Sequence, residues 1–123
     1  MSMLFPAPAP PDAPRTITAM FDQGKWWKSA NGWIRIKHMT PAHRANVARG
    51  LMRAVDTVAT SYIHVTEIEM MLYNAPDGVF NSIMNDLGRI DADRKAWLRG
   101  TKLYRKLTKD LDLKLDMRVD DDH

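Results

Sequence analysis

Residues 25–37 read KWWKSANGWIRIK. Asn31-Gly32 lies between aromatic and β-branched residues. An Asn-Gly pair supplies the positive φ angles of a type I′ turn. The spacing therefore predicts a hairpin in which Lys25–Ala30 pairs with Trp33–Lys37. Side chains alternate along a strand, so Ile34 and Ile36 share one face while Trp33, Arg35 and Lys37 share the other. Trp26 and Trp27 must also point oppositely. A hairpin covered on one face buries only one of them, which predicts a tryptophan on the exposed face.

On the N-terminal side, residues 15–21 (RTITAMF) alternate loosely and predict a further strand. Before them, residues 1–14 hold five prolines. Proline removes backbone donors and favours extended polyproline II, which predicts a disordered arm outside the core. This start lacks a basic region followed by a long apolar one, so it does not read as a secretory signal.

On the C-terminal side, Thr40-Pro41 is a helix start, with Thr40 as N-cap and Pro41 at the first helical position. Val47, Leu51, Ala54/Val55, Val58 and Tyr62 then recur at helical steps. Residues 61–73 are β-branched in part, but Ile68, Met71 and Leu72 favour helix. A turn at Asn74–Gly78 leads to a short helix over 79–90, with Phe80, Ile83/Met84 and Leu87 expected inward. Asp91 is expected to cap a last helix over 92–109. Residues 110–120 (DLDLKLDMRVD) alternate without a fault and predict a half-buried strand over 111–119.

The fold class that follows is α+β: a small antiparallel sheet, formed by the N-terminal hairpin and the C-terminal strand, packed against about three helices. The arm is residues 1–14, the domain 15–119, and 120–123 an acidic tail. At 123 residues and 45% hydrophobic content the chain suits one globular domain. No apolar run reaches the length that spans a bilayer, so no membrane partner is expected.

The 18 basic and 15 acidic residues fall in blocks. Residues 24–53 carry seven bases and no acid; 54–93 carry seven acids and one base, Arg89. Residues 94–109 again carry seven bases and no acid, and 110–123 six acids and two bases. Blocks of one sign tend to form faces that steer partners of the other sign. On a helix over 92–109, Lys95, Arg99, Lys102, Lys106 and Lys109 fall on one stripe. Like charges one turn apart repel by a few tenths of a kcal/mol, so an all-cationic stripe invites a phosphate or an acidic protein surface. The aspartates of 110–122 offer an internal alternative. The hairpin adds Trp26, Trp27 and Trp33 among Lys25, Lys28, Arg35 and Lys37, a mixture that suits stacked bases or a protein hot spot.

Catalytic signatures are missing. There is no cysteine and no Gly-rich phosphate loop, GxSxG or HExxH pattern. His38 and His43 lack the third ligand that zinc needs; His43 instead sits where Thr40 caps the helix. No enzyme activity, cofactor or metal is expected. A helix-turn-helix over 79–107, with Gly88-Arg89 as its turn, is a variant reading.

Trp27, Gly32, Ile34, Ile36, Met39, Thr40, His43, Asn46 and Leu51 form a pattern that resembles one in small uncharacterised proteins of bacteriophages infecting actinobacteria. The resemblance covers residues 27–51. It implies a hairpin-to-helix folding unit and a phage origin, hence the host cytoplasm. It also implies, by analogy, an inhibitor-like role in binding a host protein.

The sequence thus predicts a non-enzymatic interaction protein. Its expected surface comprises Trp26, Trp27, Trp33, Arg35, Arg49, Arg53, Lys95, Arg99, Lys102, Lys106 and Lys109. An acidic host-protein surface is the favoured partner, and DNA or RNA the alternative. A third mode is a homo-oligomer paired through the 111–119 strand. Convergence of the two basic blocks on one face would favour nucleic acid.

Overall fold

Trp26–Ser29 (β1) and Gly32–Arg35 (β2) pair antiparallel, with Trp26 opposite Arg35, Trp27 opposite Ile34 and Lys28 opposite Trp33. The computed structural model describes residues 9–74 and 76–111. The turn lies one residue earlier than expected. Ser29 pairs with Gly32 across Ala30-Asn31, and only Gly32 takes a positive φ, at 118°. That geometry fits a turn closed by a glycine bulge better than type I′. Ser29 secures it: its hydroxyl donates to the Gly32 carbonyl and accepts from the Asn31 amide.

The hairpin continues through a 3-10 turn, Ile36–His38, into α2 (Pro41–Arg53). Thr40 caps α2 as expected, its Oγ1 accepting from the His43 amide at 3.1 Å. The helix then breaks at Ala54 and resumes as α3 (Val55–Leu72). Residues 61–73 are thus mainly helical. The break lets α2 pack on the last helix among the described residues while α3 packs elsewhere.

Residues 15–21 correct a sequence expectation. They form a short helix, α1 (Ile17–Phe21), and not a strand. Thr16 Oγ1 accepts from the Ala19 amide at 3.1 Å and caps it. Ile17, Met20 and Phe21 recur at helical spacing, and Phe21 is buried. Here the apolar period outweighs the β-branched content.

After α4 (Asp77–Ala92), the single helix expected over 92–109 is two helices, α5 (Arg94–Gly100) and α6 (Lys102–Leu107). Asp93, not Asp91, caps α5, accepting from the Ala96 amide. Thr101 separates the pair with an extended backbone, and its Oγ1 accepts from the Tyr104 amide at 3.2 Å. Packing explains the break. Leu98, Leu103 and Leu107 are all fully buried. Leu98 and Leu103 on one continuous helix would point about 140° apart; a break between them lets both enter the core. Thr101→Ala is expected to lower stability by about 1 kcal/mol through loss of the cap, measurable by urea unfolding. An unchanged midpoint would show that packing alone holds the break.

Among the described residues the architecture is α+β: one two-stranded antiparallel sheet and six α-helices. The core gathers Phe21, Ile36, Met39, Ala48, Met52, Val55, Leu98, Leu103, Tyr104 and Leu107. Side chains from α1, the hairpin exit, α2 and α6 therefore meet there, with α3 and α5 completing it. The strand expected over 111–119 lies, from residue 112 onward, outside the described residues.

Two further expectations are corrected. The end of the proline-rich arm joins the domain: Ala13 is buried, and Asp12 pairs with Lys25 and accepts from Trp26 Nε1 at 3.1 Å. On α4, Leu87 is buried, but Phe80 and Met84 are exposed. The helix-turn-helix variant also fails, because α4 runs unbroken through Gly88-Arg89.

Candidate functional site

The register divides the hairpin by face. Trp27 and Ile34 point inward and pack against the core. Trp26, Lys28, Trp33 and Arg35 share the outer face. There cations and rings alternate: Arg35 lies 5.3 Å and Lys25 5.7 Å from the Trp26 ring, and Lys28 lies 5.9 Å from that of Trp33. Such contacts contribute about 0.5–1 kcal/mol each at exposed sites. The Lys25 ammonium beside Asp12 holds that carboxyl below its ordinary range.

Beside this face the two basic blocks meet. Gly24, Lys25, Arg35, Lys37 and Lys106 line a cleft of about 210 Å³. A second cleft of about 170 Å³ is lined by Ile36, Lys37, Met39, Arg44, Lys106, Lys109 and Asp110. Lys37 and Lys106 belong to both, so the two form one groove between the hairpin and α6. Six cations border it; among the described residues Asp110 also lines it, and Asp12 pairs with Lys25 at its edge. Gly24 permits the close approach: a Cβ there would come within 3.1 Å of the Lys106 Cβ. Arg44 ties α2 to the end of α6, its Nη1 donating to the Lys109 carbonyl at 2.9 Å and the Leu107 carbonyl at 3.3 Å. Arg35 Nε is buried and has no hydrogen-bond partner among the described residues. Lysine and arginine around a narrow groove attract phosphate oxygens through charge-assisted hydrogen bonds.

The expected stripe is split by the break at Thr101. Lys106 and Lys109 join the groove. Lys102, one turn before Lys106 on α6, lies 4.0 Å from Asp22 and, with Arg105, borders an aromatic concavity. In that concavity Trp97 packs on Phe21 at 5.4 Å and on Tyr62 at 4.8 Å. Burial pushes the hydroxyls of Tyr62 and Tyr104 above the usual tyrosine range. Lys95 and Arg99 lie on α5, before the break. Arg49 and Arg53 lie on α2; Arg49 donates to Asn46 Oδ1 at 2.5 Å. Of the expected surface, the fold therefore brings Trp26, Trp33, Arg35, Lys106 and Lys109 into one neighbourhood. It turns Trp27 toward the core.

Lys25, Lys37 and Arg44 were not among the expected interface residues, yet all three border the groove. Their membership in the acid-free block 24–53 was the available signal. Spacing along one helix drew attention to Lys95 and Arg99 instead.

No helix among the described residues is long and apolar enough to cross a membrane. In comparisons with protein-family models, curated proteins and solved structures, nothing matches this chain. The class defined by fold and surface is a small, helix-rich α+β protein with a basic groove beside a tryptophan-bearing hairpin.

Proposed function

We propose that the chain binds single-stranded nucleic acid along the groove between the hairpin and α6. The observation that carries this reading is the meeting of two sequence-distant basic blocks at Lys37 and Lys106. The phosphates track Lys25, Arg35, Lys37, Arg44, Lys106 and Lys109, and the bases stack on the outer hairpin at Trp26 and Trp33. Stacking on an aromatic ring tolerates any base, so little sequence preference is expected. Single strands suit the surface better than duplex. The basic helices α5 and α6 have only seven and six residues, and their apolar sides are committed to the core. Neither offers a free recognition helix for a major groove. A protein with an acidic surface would engage the same cations, but the groove's narrow, phosphate-like demand favours nucleic acid.

The test is an anisotropy titration with labelled oligothymidylate across a range of salt. Six neutralised phosphates predict a log K against log salt slope of about −4 for a single strand. No binding at low salt would overturn the proposal and return the acidic protein surface to first place.

A further inference from the structure

A groove between α3 and α4 has a different character. Ile63, Glu67, Met84, Leu87 and Asp91 are among the residues that line it, and its volume is about 320 Å³. Its floor is apolar, and Gly88 leaves one wall open, with nothing near the position of a missing Cβ. Met71 lies one turn beyond Glu67, and Phe80 one turn before Met84, so both extend the same stripes. Met71 is 77% exposed, Phe80 41% and Met84 39%. Monomeric proteins rarely leave so many large apolar side chains together in solvent without a partner.

Charge indicates what covers them. Of the residues that line the groove, Glu67 and Asp91 are acidic and Arg94 is basic; beyond it α3 and α4 add Asp56, Glu69, Asp77 and Asp86, with Arg89 paired to Asp86. Arg94 closes one end of the groove, bonded to Asp91 at 2.6 Å and to Thr60 at 2.7 Å. Glu67 on the groove wall is in no ion pair among the described residues.

We propose that this groove docks a basic amphipathic helix of another protein. The occupant's apolar side chains would sit between Ile63, Met71, Phe80 and Met84, with its cations over Glu67. Along α3 the stripe from Thr60 to Met71 spans about 16 Å, which matches three turns of a docked helix with anchors at i, i+3/i+4 and i+7. A second copy of this chain fits less well. Two-fold pairing would set acid against acid, and its own basic helix α6 has Leu103, Tyr104 and Leu107 buried in the core. This surface is separate from the basic groove, and its test does not depend on nucleic-acid binding.

The probe is a labelled Leu/Lys amphipathic helix of about five turns, with a scrambled peptide of equal composition as control. The full chain is expected to bind the amphipathic probe and to bind the scrambled one much more weakly. The double variant Met71→Ser with Phe80→Ser alters only exposed positions and retains every charge. It is expected to weaken binding at least about tenfold. Equal binding of both peptides, or undiminished binding by the double variant, would overturn the proposal. So would self-association of the wild-type chain that the double variant abolishes, since a second copy would then be the occupant.

Discussion

Lys106→Glu is expected to weaken oligothymidylate binding at least about tenfold and to reduce the salt slope from about −4 to about −3. Lys106 borders both halves of the basic groove, so one substitution removes a phosphate contact and opposes its neighbours. Folding should survive. Glutamate retains the Cβ and Cγ atoms that lie against Gly24, and the Lys106 side chain is exposed. Lys95→Glu is the matched control. It changes net charge equally, but its residue lies on α5 before the break at Thr101. Less than about a twofold loss is expected there, as for a charge outside the contact surface. Equal losses in both variants would mean that binding follows net charge and not the groove. The experiment therefore separates the folded arrangement from the continuous stripe that helical spacing suggests.

Leu103→Ala is expected to destabilise the domain by about 2–5 kcal/mol. Leu103 is fully buried in the core beside Leu98 and Leu107. Its removal loses both the transfer free energy of the side chain and the contacts around the resulting void. A domain of this size has about 5–15 kcal/mol to lose, so the variant should unfold at markedly lower urea. Met71→Ala also truncates a large apolar side chain, but at 77% exposure it should shift stability by no more than about 0.5 kcal/mol. Urea unfolding followed by tryptophan fluorescence reads both, because Trp27 and Trp97 pack against the core. Similar shifts for the two variants would contradict the division between core and exposed apolar residues.

That division was the least legible part of the sequence. Phe80 and Met84 have the spacing of an inward helix stripe, and periodicity marks them as core. Periodicity reports that a helix has an apolar side, but not whether another element covers it. Here α4 packs on α3 and α5 and buries Leu87, while Phe80 and Met84 stay exposed. The hairpin shows the contrary case. Alternation placed Trp26 and Trp27 on opposite faces, and the pairing of Trp27 with Ile34 shows which face is the core side.

Local chemistry is what the sequence by itself determined. The cap at Thr40, a hairpin at Asn31-Gly32 to within one residue, the helical reading of 61–73, the α+β class and the separation of charge into blocks all follow from short-range sterics, hydrogen bonding and period. Tertiary packing decided what lies further apart in the chain. The burial of both Leu98 and Leu103 requires the break at Thr101, and that break carries Lys106 and Lys109 to Lys37 while leaving Lys95 and Arg99 on α5. Helix capping acts within one turn, whereas burial is a property of the whole core. For that reason the cations of the candidate site could be counted in the sequence but grouped only in the fold.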